Sequence, residues 1–216
     1  MPLDAICLRA LTNELKGQLL GARIDKVQQP ARDQVVLLLL RGNLHLLLNA
    51  GPNQPRVQLT EVLRENPAEP PMLCMLLRKH LVGARITDIE QSGLERIVTF
   101  TVRNVNELGE SGTRKLVLEA MGRRSNLLLL DEDDRILDCM RRVEFETSGA
   151  RALLPGLFYQ LPAPLEKVSL LDDPAGAAEL ARRGGGAEES VERFLLDHYL
   201  GISPLIAREL SRRAFG

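Results

Sequence analysis

Two periodicities alternate along the chain. Asp4 precedes apolar positions at Leu8, Leu11, Leu15 and Leu19, a helical stripe with an acidic cap at its start. Gly21 stops this helix. Short strand-like segments follow at residues 24–28, 34–40, 44–48 and 56–59, with Arg41-Gly42-Asn43 as hairpin chemistry and residues 49–55 as a Gly/Pro loop. After the prolines at 67, 70 and 71, a second helix is expected over residues 71–82, stopped by Gly83. More strands follow at 86–90, 96–102, 115–120, 126–130 and 136–139. A polar loop is expected at 104–112 and an acidic turn at Asp131-Glu132-Asp133-Asp134. Eight or nine short strands and two helices predict an α+β architecture, a β-sandwich with two flanking helices.

The halves echo each other. Leu19 to Gln29 returns as Leu81 to Gln91, offset by 62 residues, with six of eleven positions identical. Each copy follows a helix and leads into an apolar run, so one helix–stop–strand unit is used twice. No third copy occurs, which argues for two similar halves and not a solenoid. Gly21 and Gly83 should therefore occupy matching helix ends.

Past residue 155 the character changes. Pro162, Pro164, Pro174 and Gly184-Gly185-Gly186 punctuate the sequence, and residues 171–189 are expected to be a flexible connector. A helix restarts at Ser190 and runs to Leu200. Gly201-Ile202-Ser203-Pro204 then turns the chain into a last helix, with Ser203 as cap. This pair has little apparent partner surface, which is the expectation for a longer protein cut inside a helical module. The expected domains are residues 1–170, the connector 171–189, and 190–216 as the beginning of that module.

Composition narrows the chemistry. Aromatic residues are 3% with no Trp, so Leu, Val and Ile must fill the core. Net charge is −1, which gives no bulk attraction to nucleic acid. The cations are 23 Arg against 5 Lys. A GC-rich coding sequence accounts for that bias at least as well as selection for phosphate contacts does. Cys7, Cys74 and Cys139 are scattered, as are three His, so no zinc spacing, metal or cofactor is expected. Free buried thiols suit a cytoplasmic protein. The run from Val35 to Leu40 is too short to span a bilayer, and no membrane partner is expected.

Four motifs carry candidate chemistry. Pro2, once exposed by loss of Met1, could form a Schiff base, but Leu3 follows where an acid would be needed. Glu95-Arg96, in Gly93-Leu94-Glu95-Arg96, reads either as a solvated pair or as a recognition pair. The aligned positions of the first repeat are Asp33 and Gln34. Glu119-Ala120-Met121-Gly122-Arg123-Arg124-Ser125-Asn126 reads as a hairpin turn or as a phosphate contact. Leu200 to Ala207 partly matches a helix-hairpin-helix, with Ser203 in place of its second Gly.

Several strings together resemble one family: Met1 to Arg23, Glu69-Pro70-Pro71-Met72-Leu73-Cys74-Met75-Leu76-Leu77-Arg78-Lys79-His80-Leu81, Gly93-Leu94-Glu95-Arg96-Ile97, Met121-Gly122-Arg123-Arg124-Ser125-Asn126, Leu154-Pro155-Gly156 and Gly201-Ile202-Ser203-Pro204. They look like the N-terminal part of the NFACT proteins. The family comprises bacterial ribosome-quality-control factors of the RqcH type, long labelled fibronectin-binding proteins, and their eukaryotic counterpart NEMF. The resemblance implies a first domain folded like the N-terminal domain of formamidopyrimidine-DNA glycosylases, followed by the start of a helix-hairpin-helix module. It further implies binding to obstructed large ribosomal subunits carrying peptidyl-tRNA, and recruitment of tRNA, alanine tRNA in bacteria, for template-free C-terminal tailing. By the same resemblance the tRNA-contacting residues are Glu95, Arg96, Glu119, Met121, Gly122, Arg123, Arg124, Ser125 and Asn126, with no catalytic residue. Glu95 stands where the family usually has Asp, and Arg124 where many members have His. The alternatives are a surface adhesin for fibronectin or fibrinogen, as the old label has it, and a DNA glycosylase-like lyase acting through Pro2.

Overall fold

The computed structural model describes residues 3–105, 111–145, 151–184 and 189–215. Helix α1 (Ala5–Leu19) starts where the Asp4 carboxylate accepts from the Cys7 amide at 2.8 Å, and it buries Leu8, Leu15 and Leu19. A four-stranded antiparallel sheet follows in the order β1 (Ile24–Ala31), β2 (Gln34–Leu39), β3 (His45–Asn49) and β4 (Arg56–Leu59). Helix α2 (Met72–Leu81) leads to a five-stranded antiparallel sheet: β5 (Arg85–Gln91), β6 (Ile97–Val105), β7 (Ser111–Glu119), β8 (Asn126–Leu130) and β9 (Ile136–Cys139). Both helices and the inward positions of both sheets share one core, which includes Leu15, Leu37, Leu48, Leu77, Ile86, Phe100 and Leu129.

The repeat meets itself at the junction of the sheets. Gly21 N donates to Ile86 O at 2.8 Å, and the equivalent Gly83 N donates to Ile24 O at 2.8 Å. Ile86 N donates to Ala22 O and Ile24 N to Ala84 O, at 3.0 and 2.8 Å. Every bond thus has a mate displaced by 62 residues, so a local pseudo-twofold axis relates the halves. Gly21 has φ +79° and Gly83 φ +86°, the left-handed helix stop expected of both. Strands β1 and β5 also carry register shifts at matching places, between Ile24 and Lys26 and between Ile86 and Asp88.

Strand β8 explains its own unbroken apolar run. Leu127 and Leu129 face the main core, whereas Leu128 and Leu130 face a second cluster with Ile97, Val117, Ile136, Cys139 and Leu153. Covered on both faces, the strand needs no polar side.

Tertiary structure alters four expectations. Strand β1 runs through Pro30 to Ala31, which is permitted because β1 is a sheet edge and Pro30 owes no ladder hydrogen bond there. The loop expected at 104–112 shrinks: β6 and β7 pair from Ile97↔Glu119 out to Val105↔Ser111, and 106–110 lie outside the described residues. The expected connector 171–189 contains a helix, α3 (Pro174–Arg183). Asp173 caps it by accepting from Gly176 N at 2.8 Å, and Pro174 occupies the first turn with its φ already helical. Residues 185 and 186 of the glycine run, like Pro2, lie outside the described residues. The last helices, α4 (Val191–His198) and α5 (Pro204–Phe215), are docked and not isolated. Ser203 Oγ donates to Asp4 Oδ2 at 3.0 Å, joining the N-caps of α5 and α1. Tyr199 OH donates to Ala177 O of α3 at 2.8 Å, and Val168 bridges the chain at Tyr199.

Candidate functional site

Two turns at one end of the second sheet open onto a single cleft of about 410 Å³. The β5–β6 turn contributes Leu94, Glu95 and Arg96, and the β7–β8 turn contributes Met121 and Arg124. The docked C-terminal segments close the other side with Leu165, Lys167 and Gly201 to Pro204.

Each turn is held from beneath. The buried Gln91 amide donates to Glu95 O at 2.7 Å and to Ala5 O at 3.0 Å, tying the first turn to the start of α1. Gly93 takes φ +51° there. Arg96 O accepts from Ala120 N at 2.8 Å, which couples the two turns. In the second, Gly122 has φ +60°, and Arg124 N and Ser125 N donate back to Met121 O and Gly122 O. The Arg141 guanidinium donates to Ser125 O at 3.0 Å and braces the turn from the outside.

The nine sequence candidates separate by exposure. Glu95, Arg96, Met121 and Gly122 are half-exposed, and Arg123 and Arg124 are exposed. Three others are corrected. Glu119 has 0% exposure: it accepts from Arg151 Nη2 at 2.6 Å and from Tyr159 OH at 2.8 Å, so its carboxylate is spent internally. Asn126, 1% exposed, donates to Arg141 O at 2.7 Å and accepts from Arg141 N at 2.9 Å. Ser125 is also 1% exposed. All three side chains are buried, and they hold the turn from which Arg123 and Arg124 emerge.

The electrostatics agree. Burial, the Glu119 carboxylate and its hydrogen bond push the Tyr159 hydroxyl far above its usual range. Burial pulls the Arg151 guanidinium down, but the Glu119 hydrogen bond and charge outweigh it and its pKa rises. Glu119, Arg151 and Tyr159 therefore form a buried pair with a hydrogen-bonded phenol, a fixed brace under the cleft.

Sequence reasoning missed Gln91, Arg141, Arg151, Lys167 and the pairing of Asp4 with Ser203. Only Asp4 and Ser203 carried a local signal, as N-caps. Among the described residues, no group of three or more His, Cys, Asp or Glu side chains could hold a metal ion. No helix among them is long and apolar enough to cross a membrane.

Relatives match almost the whole chain. The N-terminal domain of fibronectin-binding protein PavA from Streptococcus pneumoniae superposes with a TM-score of 0.88 at 35% identity, covering 98% of this chain and 79% of that one. The Rqc2 homolog RqcH of Bacillus subtilis is 39% identical over 217 residues, 99% of this chain but 38% of its own length. The archaeal Rqc2 homolog aRqcH of Methanocaldococcus jannaschii is 30% identical over 220 residues, 98% of this chain and 30% of its own. The chain thus spans well under half the length of these two relatives. The family model for the NFACT N-terminal and middle domains matches residues 4–215, and the chain belongs to the NFACT family.

Proposed function

We propose that this chain is the RNA-reading N-terminal part of a ribosome quality control factor, and that its cleft contacts the anticodon arm of a tRNA. The observation that carries this reading is the cleft itself. Two turns about 25 residues apart in sequence bring Glu95, Arg96, Met121 and Arg124 to one surface. Arg96, Arg123 and Arg124 supply guanidiniums for phosphate or base-edge contacts, and Glu95 can accept from a base amino group. Gly122 carries no Cβ, so RNA can approach its backbone closely. Glu119, Ser125 and Asn126 serve by holding the turn. In the whole protein, this contact would recruit tRNA, alanine tRNA by family resemblance, to an obstructed large subunit carrying peptidyl-tRNA, for template-free tailing. The chain's own role is binding and positioning.

Arg96→Ala tests the reading. Its side chain is half-exposed, so stability should change by within about 0.5 kcal/mol. tRNA binding by the full-length factor should fall and tailing should stop. A folded variant that binds and tails normally overturns the assignment, and an unfolded one makes Arg96 structural. Charge reversal at Arg124, exposed in the second turn, gives an independent readout of the same cleft.

A further inference from the structure

The seam between the sheets carries a second cationic surface, at the far end of β6 from the cleft. Arg23 and Arg85 are the same position of the two repeats, and they pair directly across the pseudo-twofold axis. Arg85 in turn pairs with Arg103 on β6. Direct antiparallel partners project to one face with Cα atoms about 5 Å apart. Arg23, Arg85 and Arg103, all exposed, therefore form a row running from the residue before β1 across β5 and β6. Arg41 extends it: its guanidinium donates to Leu20 O at 2.9 Å beside that of Arg85, which donates to Gly21 O at 3.0 Å.

Like charges placed directly opposite in a sheet repel, so such a row is ordinarily interleaved with carboxylates. Among the described residues, no ion pair involves Arg23, Arg41, Arg85 or Arg103. The carbonyls at the end of α1 account for one donor each from Arg41 and Arg85, as cations suit a helix C-terminus. That leaves most of the five N–H donors of each guanidinium uncommitted. The last turn of α2 adds Arg78, Lys79 and His80 at the same end.

We propose that this arginine row is a binding strip for the phosphate backbone of RNA, separate from the cleft. Guanidiniums repeated at strand spacing match a repeating phosphodiester better than an isolated anion, and forked donors suit phosphate oxygens. With seven residues from Arg96 to Arg103 at about 3.4 Å each, the strip and the cleft lie about 24 Å apart along β6. Each can therefore be removed without touching the other, and the proposal stands whether or not the cleft reads tRNA.

The test is the salt dependence of binding between the 216-residue chain and a base-paired RNA hairpin. Arg23→Gln with Arg103→Gln removes two cations that hold no helix-end carbonyl. With a slope of about 0.7–0.9 per phosphate contact, the double variant should lose about 1.4–1.8 from the log–log slope. Raising salt from about 50 to 200 mM then weakens the parent about tenfold more than the variant. Arg23→Lys with Arg103→Lys should retain the slope, since a charged contact survives. Arg96→Ala should leave the drop caused by the double variant unchanged. An unaltered slope in the glutamine variant overturns the proposal. So does inorganic phosphate alone raising the melting temperature of the parent but not of the variant while both bind RNA equally, which makes the strip a small-anion site. Polyglutamate displacing RNA at equal charge concentration overturns it in favour of an acidic protein partner.

Discussion

Arg151→Ala probes the brace beneath the cleft. The substitution removes the guanidinium 2.6 Å from Glu119 and leaves a carboxylate of 0% exposure with, among the described residues, only the Tyr159 hydroxyl, 2.8 Å away. Breaking one side of a buried ion pair costs about 3–5 kcal/mol, because the surviving charge is left desolvated. For a chain of this size, about 2–4 °C is lost per kcal/mol, so the melting temperature should fall by about 6–20 °C. Glu119→Gln should also destabilise, since the Arg151 guanidinium then loses the carboxylate 2.6 Å away. Combining Glu119→Leu with Arg151→Met should recover much of the loss, because a buried pair replaced by apolar groups of similar volume is close to neutral. The assay is thermal and urea unfolding of the parent, both single variants and the apolar double variant, and adding Glu119→Gln with Arg151→Ala closes a double-mutant cycle for the coupling. If Arg151→Ala and Glu119→Gln each cost under about 1 kcal/mol while RNA binding is lost, Glu119 is a contact residue after all and the brace is misread.

Three further outcomes follow from the geometry. Ser203→Ala removes both the cap to Ile206 N and the 3.0 Å bond to Asp4, so it should cost about 1–2 kcal/mol and raise hydrogen exchange in α4 and α5 before the sheets are affected. The folded His80 pKa lies below the ordinary 6.5, so the unfolded chain binds this proton first. Stability should therefore decline as pH falls through about 6.5, level off below the folded value, and show a smaller decline in His80→Gln, read by unfolding at pH 5–8. Thiol labelling at pH 8 should reach the exposed Cys7 alone, slowly, because burial and the Asp4 hydrogen bond raise its pKa. Cys74 and Cys139, the latter pushed up to about 12 mainly by burial, should react only on unfolding, so rapid labelling of either would refute the buried assignment.

Local chemistry was enough to place most elements. The stripe from Leu8 to Leu19, the caps at Asp4 and Ser203, and the stops at Gly21 and Gly83 act within a turn or two of the chain, so the sequence alone locates α1, α2 and α5. The 62-residue echo also announced two equivalent halves. What it could not announce is that the copies bond to each other, or that the junction aligns Arg23, Arg85 and Arg103, because strand pairing is a long-range choice. Residues 104, 105, 111 and 112 looked like loop because pairing between β6 and β7, and not composition, decides their state. Residues 171–189 looked like a connector because its Gly and Pro residues outweighed the seven good helix formers from Ala177 to Arg183 between them. At the cleft, the motif letters marked the two turns that line it but not which side chains emerge. Glu119, Ser125 and Asn126 share a string with Arg123 and Arg124, yet Arg151, Tyr159 and Arg141, brought from 15 to 40 residues away, bury them. Sequence fixes which groups are available; burial, set by distant partners, decides which of them a ligand can reach.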